Sequence, residues 1–238
     1  MKKLALIPLM IFVTLLFSCS SDDNPTEPTS QKIKPKAPTA KTIELPEHMV
    51  QSGDPHAAMA ASWIAMANSF TGYSQFFVPP KGAKSLPKVS DEGKYTWNVG
   101  ALAITLIYST DDEYSKWKVI FNGTDDEGTT YVNWVYMEAE QTADGSSGTM
   151  LMYEENSTDV AYKWEWNSSD NGSYNFTFLD YSDTGWKLDI HVNADNSGEM
   201  NYYDNVDGEF VLKYKITWNA DGSGAWWDYE NNENGTWQ

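Results

Sequence analysis

The sequence has 238 residues and a net charge of −18, with 34 Asp and Glu against 16 Lys and no Arg. The charge is uneven: from Tyr95 onward there are six Lys against twenty-six acidic residues, a net of −20. Proteins that bind DNA or RNA neutralise phosphates with Lys and Arg, so this composition argues against a nucleic-acid partner. Anionic lipid is disfavoured for the same reason, whereas a cationic partner or divalent ions are compatible with it.

The first residues have the parts of an export signal. Two lysines precede an apolar run over residues 4–17, which is too short to span a bilayer, since a spanning helix needs about 20 apolar residues. The run ends in Leu-Phe-Ser-Cys at residues 16–19, which resembles the lipobox of bacterial lipoproteins. The resemblance implies a signal peptide over residues 1–18 and a membrane anchor through lipid on Cys19. An ordinary secretory signal with an incidental cysteine is the alternative, although this is the only Cys in the chain.

The residues after Cys19 bear on localisation. Ser20 and Ser21 are followed by two aspartates. Serine beside the anchor resembles the outer-membrane sorting signal, and serine followed by acids resembles the surface-export tag of Bacteroidota lipoproteins. We therefore expect a protein that is lipid-anchored in the outer membrane, with exposure at the cell surface or to the periplasm left open. Residues 19–47 are rich in Pro, Ser, Thr and Lys, which predicts a flexible tether.

A helix is predicted over residues 54–70. Asp54 is a favourable N-cap, Pro55 suits the first helical position, and Gly72 is a plausible stop. The apolar residues at helical spacing are Met59, Trp63, Met66 and Phe70. This stripe predicts a helix packed on a sheet, or alternatively a lid over a ligand cavity. Residues 71–93 contain several Pro and Gly and are predicted to form a loop.

Alternation of apolar and polar residues dominates the sequence from residue 94 onward and predicts half-buried β-strands. Turn clusters rich in Asp, Asn, Gly and Ser separate the strands, and glycines recur about every 25 residues at Gly148, Gly172, Gly198 and Gly224. The phase of residues 131–139 is ambiguous. The predicted strands are 94–99, 102–109, 115–122, 131–139, 148–154, 160–167, 172–179, 185–193, 198–204, 210–218 and 224–230.

The predicted fold class is therefore mainly β. We expect residues 48–238 to form a single domain, an antiparallel up-and-down meander of about 11 strands with one N-terminal helix packed on it. The pattern resembles the meander barrels of lipocalins and fatty-acid-binding proteins, which implies a closed barrel or a strongly curled sheet. An open curved sheet is the main alternative.

Two turns loosely fit a twelve-residue calcium loop. The oxygen donors in question are Asp195 with Asp204, and Asp221 with Glu230. Their flanks alternate like strands rather than helices, so hairpin turns are the preferred interpretation and no metal residue is assigned.

Catalytic motifs are absent from the sequence, and it indicates no cofactor. We predict a non-catalytic binding or interaction module whose partner, besides the membrane, is a hydrophobic ligand or a glycan. The alternatives are a structural coat or spacer protein and a hydrolase that uses two carboxylates. Eleven Trp and fourteen Tyr are predicted mainly as core, or else as platforms for sugar rings.

Overall fold

The structure is a computed structural model that describes residues 35–86 and 92–238. Cys19, the signal peptide and the tether up to residue 34 lie outside the described residues. The helices are α1 (Glu47–Gln51), α2 (Pro55–Asn68) and α3 (Phe70–Ser74), followed by a 3-10 turn over Gln75–Phe77. The strands are β1 (Lys84–Leu86), β2 (Glu92–Val99), β3 (Leu102–Thr110), β4 (Tyr114–Thr124), β5 (Thr130–Thr142), β6 (Ser147–Tyr153), β7 (Val160–Ser168), β8 (Tyr174–Asp180), β9 (Trp186–Val192), β10 (Gly198–Val206), β11 (Glu209–Trp218), β12 (Gly224–Asp228) and β13 (Glu233–Trp237).

The strands form one antiparallel sheet in which each strand pairs with its neighbours in sequence, so the predicted up-and-down meander is confirmed. Within the described ranges β1 and β13 do not pair with each other, so the sheet is open, and of the two predicted forms, barrel or curled sheet, the barrel is wrong. The helices cover the apolar face of the sheet and shield it from water. The sheet therefore does not have to close into a barrel to bury that face.

The helical segment crosses the strands. From His56 to Phe70 a helix rises about 21 Å, and the five strand spacings from β12 to β7 measure about 24 Å. The helix axis therefore runs across the sheet and touches a new strand every few residues. The ring contacts in chain order are His56 with Trp226 of β12 (3.7 Å between centroids), Trp63 with Trp186 of β9 (4.9 Å), Phe70 with Trp166 of β7 (5.0 Å) and Phe77 with Trp117 of β4 (6.2 Å).

The N-terminus of α2 is built as predicted. The Asp54 carboxylate accepts hydrogen bonds from the backbone N–H groups of His56 (2.8 Å) and Ala57 (3.2 Å), and Pro55 is the first helical residue. The expected stop at Gly72 is wrong, because Gly72 lies inside α3. The predicted loop over residues 71–93 is also wrong in part, because it contains most of α3, the 3-10 turn, β1 and the start of β2.

The most buried face of α2 consists of small residues. The residues that are at most 3% exposed are Ala57, Ala60, Ile64 and Ala67. The predicted stripe residues Met59, Trp63 and Met66 lie on either side of this face and are half-buried. Alanine on the contact face brings the helix close to a sheet surface that carries large aromatic rings. In the part of the chain that the structure describes, no helix combines the length and the apolar character needed to cross a membrane.

Residues 35–46 lie against the same face of the sheet, although the sequence assigned them to the tether. The backbone N–H of Thr39 donates to the Gln141 side chain (3.0 Å), and the Asn68 side chain bonds both backbone groups of Ile43 (2.9 Å each). Pro38 and Ile43 are buried. Folded structure therefore begins by residue 35, earlier than the predicted domain start at 48.

A β-bulge explains the ambiguous phase of β5. Val119 pairs with Met137, and the next residue of β4 pairs with Val135, so Tyr136 is an extra residue without a partner. One extra residue reverses the alternation, and Trp134 therefore joins Met137 on the helix-covered face. Asn133, with a φ of 49°, adds a second irregularity in the same strand.

The hairpin turns that follow β5, β7, β9 and β11 share one structure, at the positions that the sequence predicted. In each, an Asp or Asn side-chain oxygen accepts from the backbone N–H of the serine two residues later, and the residue between them has a positive φ. The accepting residues are Asp144, Asn171, Asp195 and Asp221.

The recurring glycines have a packing role in the sheet. Gly148, Gly198 and Gly224 each face a tryptophan on the next strand, and the indole occupies the space that a side chain would need. In two of the three pairs the indole N–H donates back to the preceding turn, from Trp218 to the carbonyl of Asn196 (2.8 Å) and from Trp237 to that of Gly222 (2.8 Å). In three of the four hairpins a glycine therefore leaves the space that a tryptophan ring of the next strand occupies. Gly172 differs, because it lies in its turn with a φ of 84°.

Candidate functional site

The face of the sheet opposite the helices, here called the polar face, carries the lysines of the strands. Each Lys after Tyr95 in the described residues forms an ion pair with an acid on this face or at its border, at N–O distances of 2.7–3.8 Å. The Lys215 ammonium beside Glu199 lowers the pKa of that carboxyl. Exposed pairs of this kind are worth about 0–1 kcal/mol each, so they organise the surface more than they stabilise the fold.

A shallow depression of about 360 Å³ lies on the polar face over strands β4 to β8. Ligand pockets commonly have volumes of about 300–1,000 Å³, so this one is near the lower end. Its outward-facing residues carry hydroxyl, amide and carboxylate groups, and the lining residues of the described chain include no Lys, Arg or His. These residues are Tyr114, Glu140, Thr142, Ser147, Thr149, Glu165, Asn167, Asn175 and Thr177.

The two carboxylates of the depression are arranged for hydrogen bonding. Glu140 and Glu165 flank Thr149 in the cross-strand register, and each is held at 2.8 Å by a lysine, Lys116 and Lys163 respectively. Their side chains remain 49% and 44% exposed. A carboxylate has about four lone-pair sites, so the paired lysine leaves acceptor sites open on each. The arrangement therefore suits recognition of hydroxyl or amine donors.

The residues of the two possible calcium loops are not brought together. Asp195 and Asp221 each accept from a serine N–H and hydroxyl within their own hairpin turn. Asp204 is six residues into extended strand β10, about 20 Å beyond the turn, and calcium ligands must lie about 2.3–2.6 Å from the ion. Among the described residues no three His, Cys, Asp or Glu side chains form a group that could hold a metal.

The space between the helices and the sheet is filled. A cavity there, lined by Ile43, Phe70 and Phe176 among others, has a volume of only about 10 Å³, which is about the room that one water molecule needs. Ten of the eleven tryptophans and nine of the fourteen tyrosines belong to the hydrophobic core or pack against it, so the prediction of aromatics mainly as core is confirmed. Trp227 is half-buried outside that core. His56 is part of this packing, stacked on Trp226 and hydrogen-bonded to the Tyr214 hydroxyl.

The fold and this surface together define an open antiparallel meander with a helix-covered apolar face and a polar face that bears a depression. No protein-family model matches the chain, and no curated protein matches it. The sequence did not single out the residues of the depression. Apart from Tyr114, each is an ordinary Thr, Ser, Asn or Glu at a polar strand position, and only the strand register places them side by side.

Proposed function

We propose that the protein is a non-catalytic binding module, held at the outer membrane by a lipid on Cys19, that binds an oligosaccharide on its polar face. The observation that carries the proposal is the depression over β4 to β8. Hydroxyl, amide and carboxylate groups in one concave surface match the many donors and acceptors of a sugar. The small volume between helix and sheet argues against a hydrophobic ligand there.

A substitution that fills the depression tests the binding proposal. Thr149 lies in the depression, and Thr105 of β3 faces the same way outside it. In calorimetric titrations against a panel of oligosaccharides, Thr149→Trp should weaken binding at least tenfold, because the indole occupies the ligand's place. Thr105→Trp is the matched control and should bind like the wild type. Equal affinity of all three proteins, or no saturable binding of any glycan, would contradict the proposal.

The membrane anchor has a separate test. Cys19→Ala removes the thiol to which the lipid would be attached, so the protein should move from the membrane fraction to the soluble fraction. Ser20→Ala keeps the thiol and should stay with the membrane. If Cys19→Ala still partitions into detergent, the anchor proposal fails.

A structural coat or spacer is the second candidate, favoured by the filled core and the ion-paired lysines. It predicts no saturable ligand at all. A hydrolase is the third class, and it predicts shortened products when the glycans are incubated with the protein. Binding without product formation distinguishes our proposal from both.

A further inference from the structure

One row of side chains crosses the polar face through the depression and continues beyond it. The residues in register on β5 to β10, here called the carboxylate row, are Glu140, Thr149, Glu165, Thr177, Asp189 and Asn201. Carboxylates stand on every second strand, and a hydroxyl or an amide stands on each strand between them. Because neighbouring strands lie about 4.8 Å apart, the carboxylates recur at about 9.6 Å.

Each carboxylate in the row has room to accept further hydrogen bonds. Lysines hold Glu140, Glu165 and Asp189 at 2.7–2.8 Å, two of them from two residues away on the same strand. Asp189 also accepts from the Thr177 hydroxyl (2.8 Å). A carboxylate has about four lone-pair sites, so acceptors for a ligand remain on all three. Hydrogen bonds from sugar hydroxyls to an ionised carboxylate are among the stronger neutral–charged contacts.

The charge around the row selects against acidic ligands. The chain from Tyr95 onward has a net charge of −20 by sequence. Three lysines lie beside the row, but each is already paired with one of its carboxylates at 2.7–2.8 Å. An acidic ligand would have to compete with these carboxylates for the lysines within a strongly negative domain, so the matching ligand is neutral.

We infer that the ligand is a neutral, extended β-1,4-linked polysaccharide whose chain runs across the strands along the carboxylate row. This inference rests on the function proposed above. In such a chain successive rings are flipped, so every second ring presents the same hydroxyl to the sheet. These hydroxyls therefore recur once per disaccharide, at an interval similar to the spacing of the carboxylates. Glu140 and Glu165 each bind one disaccharide within the depression. Asp189, which lies outside the depression, binds the next disaccharide.

A chain-length series tests the inference on the purified full-length protein. Cello-oligosaccharides of one, two, four and six rings are titrated calorimetrically. The affinity should rise roughly tenfold from two to four rings and again from four to six, as each further carboxylate is engaged. Maltohexaose, whose α-linked chain curves away from the row, should bind no better than the disaccharide, and an acidic hexagalacturonate should not bind.

Variants at the far end of the row locate the third position. Asp189→Asn and, independently, Asn201→Ala should remove the gain from four to six rings and leave disaccharide binding unchanged. Glu138→Gln is the matched control, since Glu138 is also paired with a lysine on the polar face but does not line the depression. Melting temperatures verify that each variant is folded.

The outcomes separate the two proposals. If affinity does not increase beyond the disaccharide, if maltohexaose binds as tightly as cellohexaose, or if Asp189→Asn weakens two-ring and six-ring binding equally, the extended-chain inference is overturned while glycan binding stands. If only other glycans in the panel bind, the inference also fails alone. If no glycan of any kind binds, the proposed function fails with it.

Discussion

Gly198→Ala tests the packing of the repeated hairpins directly. A methyl group at Gly198 would lie 2.4 Å from the carbonyl oxygen of His191 and 2.5 Å from the Cζ2 atom of Trp218, both well inside contact distance. The indole would have to move, and its hydrogen bond to the Asn196 carbonyl (2.8 Å) would be lost or stretched. Trp218 is only 2% exposed, so water cannot replace that bond easily.

The size of the effect follows from these two losses. Overpacking of a close-packed site costs about 1–3 kcal/mol, and the loss of one hydrogen bond costs about 1 kcal/mol. We therefore expect Gly198→Ala to lower the free energy of unfolding by about 3 kcal/mol. For a domain of this size that corresponds to a decrease in Tm of about 6–12 °C.

Urea denaturation followed by tryptophan fluorescence, together with calorimetry, measures the change. Gly72→Ala is the matched control, because no atom lies within 4 Å of the added methyl. Alanine in helix α3 should be neutral or stabilise by up to about 1 kcal/mol. In the double variant Gly198→Ala/Trp218→Phe, the smaller ring should make the two effects less than additive. A Gly198→Ala protein as stable as the wild type would refute the claim that Gly198 leaves space for the Trp218 ring.

Three further changes have defined outcomes. Hydrogen bonds from Ser146 and Thr142 lower the pKa of Asp144 to about 2, so this carboxylate stabilises the fold fully above its unfolded pKa of about 3.9. That contribution is lost as the pH falls through about 2, so the urea midpoint should decrease between pH 4 and 2. The decrease should be less steep in Asp144→Asn, and a urea midpoint that does not change with pH would contradict this. Asp54→Ala removes the N-cap of α2 and should cost about 1 kcal/mol in urea unfolding, whereas an unchanged midpoint would mean that the cap is dispensable. Calcium at millimolar concentration should raise the Tm no more than magnesium at equal ionic strength. A calcium-specific rise in Tm that Asp221→Ala abolishes would instead show that this turn binds calcium.

The sequence predicted the central strands well because each alternates between a covered and a wet face. It missed β1 and β13 for a physical reason. The three residues of β1 are all exposed, and in β13 only Trp237 is buried, so neither strand has a two-residue period to detect. Both lie at the edges of the sheet, where one side of the backbone has no partner strand in the described structure.

The depression and the bound N-terminal segment were beyond the reach of pattern analysis. Pro38 and Ile43 are isolated apolar residues among Pro, Thr and Lys, and such a segment has no periodicity whether it is free or bound. The neighbours in the depression depend on register, which the turns and the bulge at Tyr136 set. A shift of one residue would turn Glu140 or Thr149 to the helix side, so their polar character alone could not locate a site.

The path of the helix across the sheet has a consequence for the order of folding. Every hairpin is local, but His56 meets Tyr214 across a separation of 158 residues, and contacts of such long range slow folding because a large loop must close first. During synthesis the helix leaves the ribosome long before its partners on β11 and β12 exist. We therefore expect the sheet to assemble hairpin by hairpin and the helix to dock last, so the apolar face of the sheet stays uncovered until the final strands have formed.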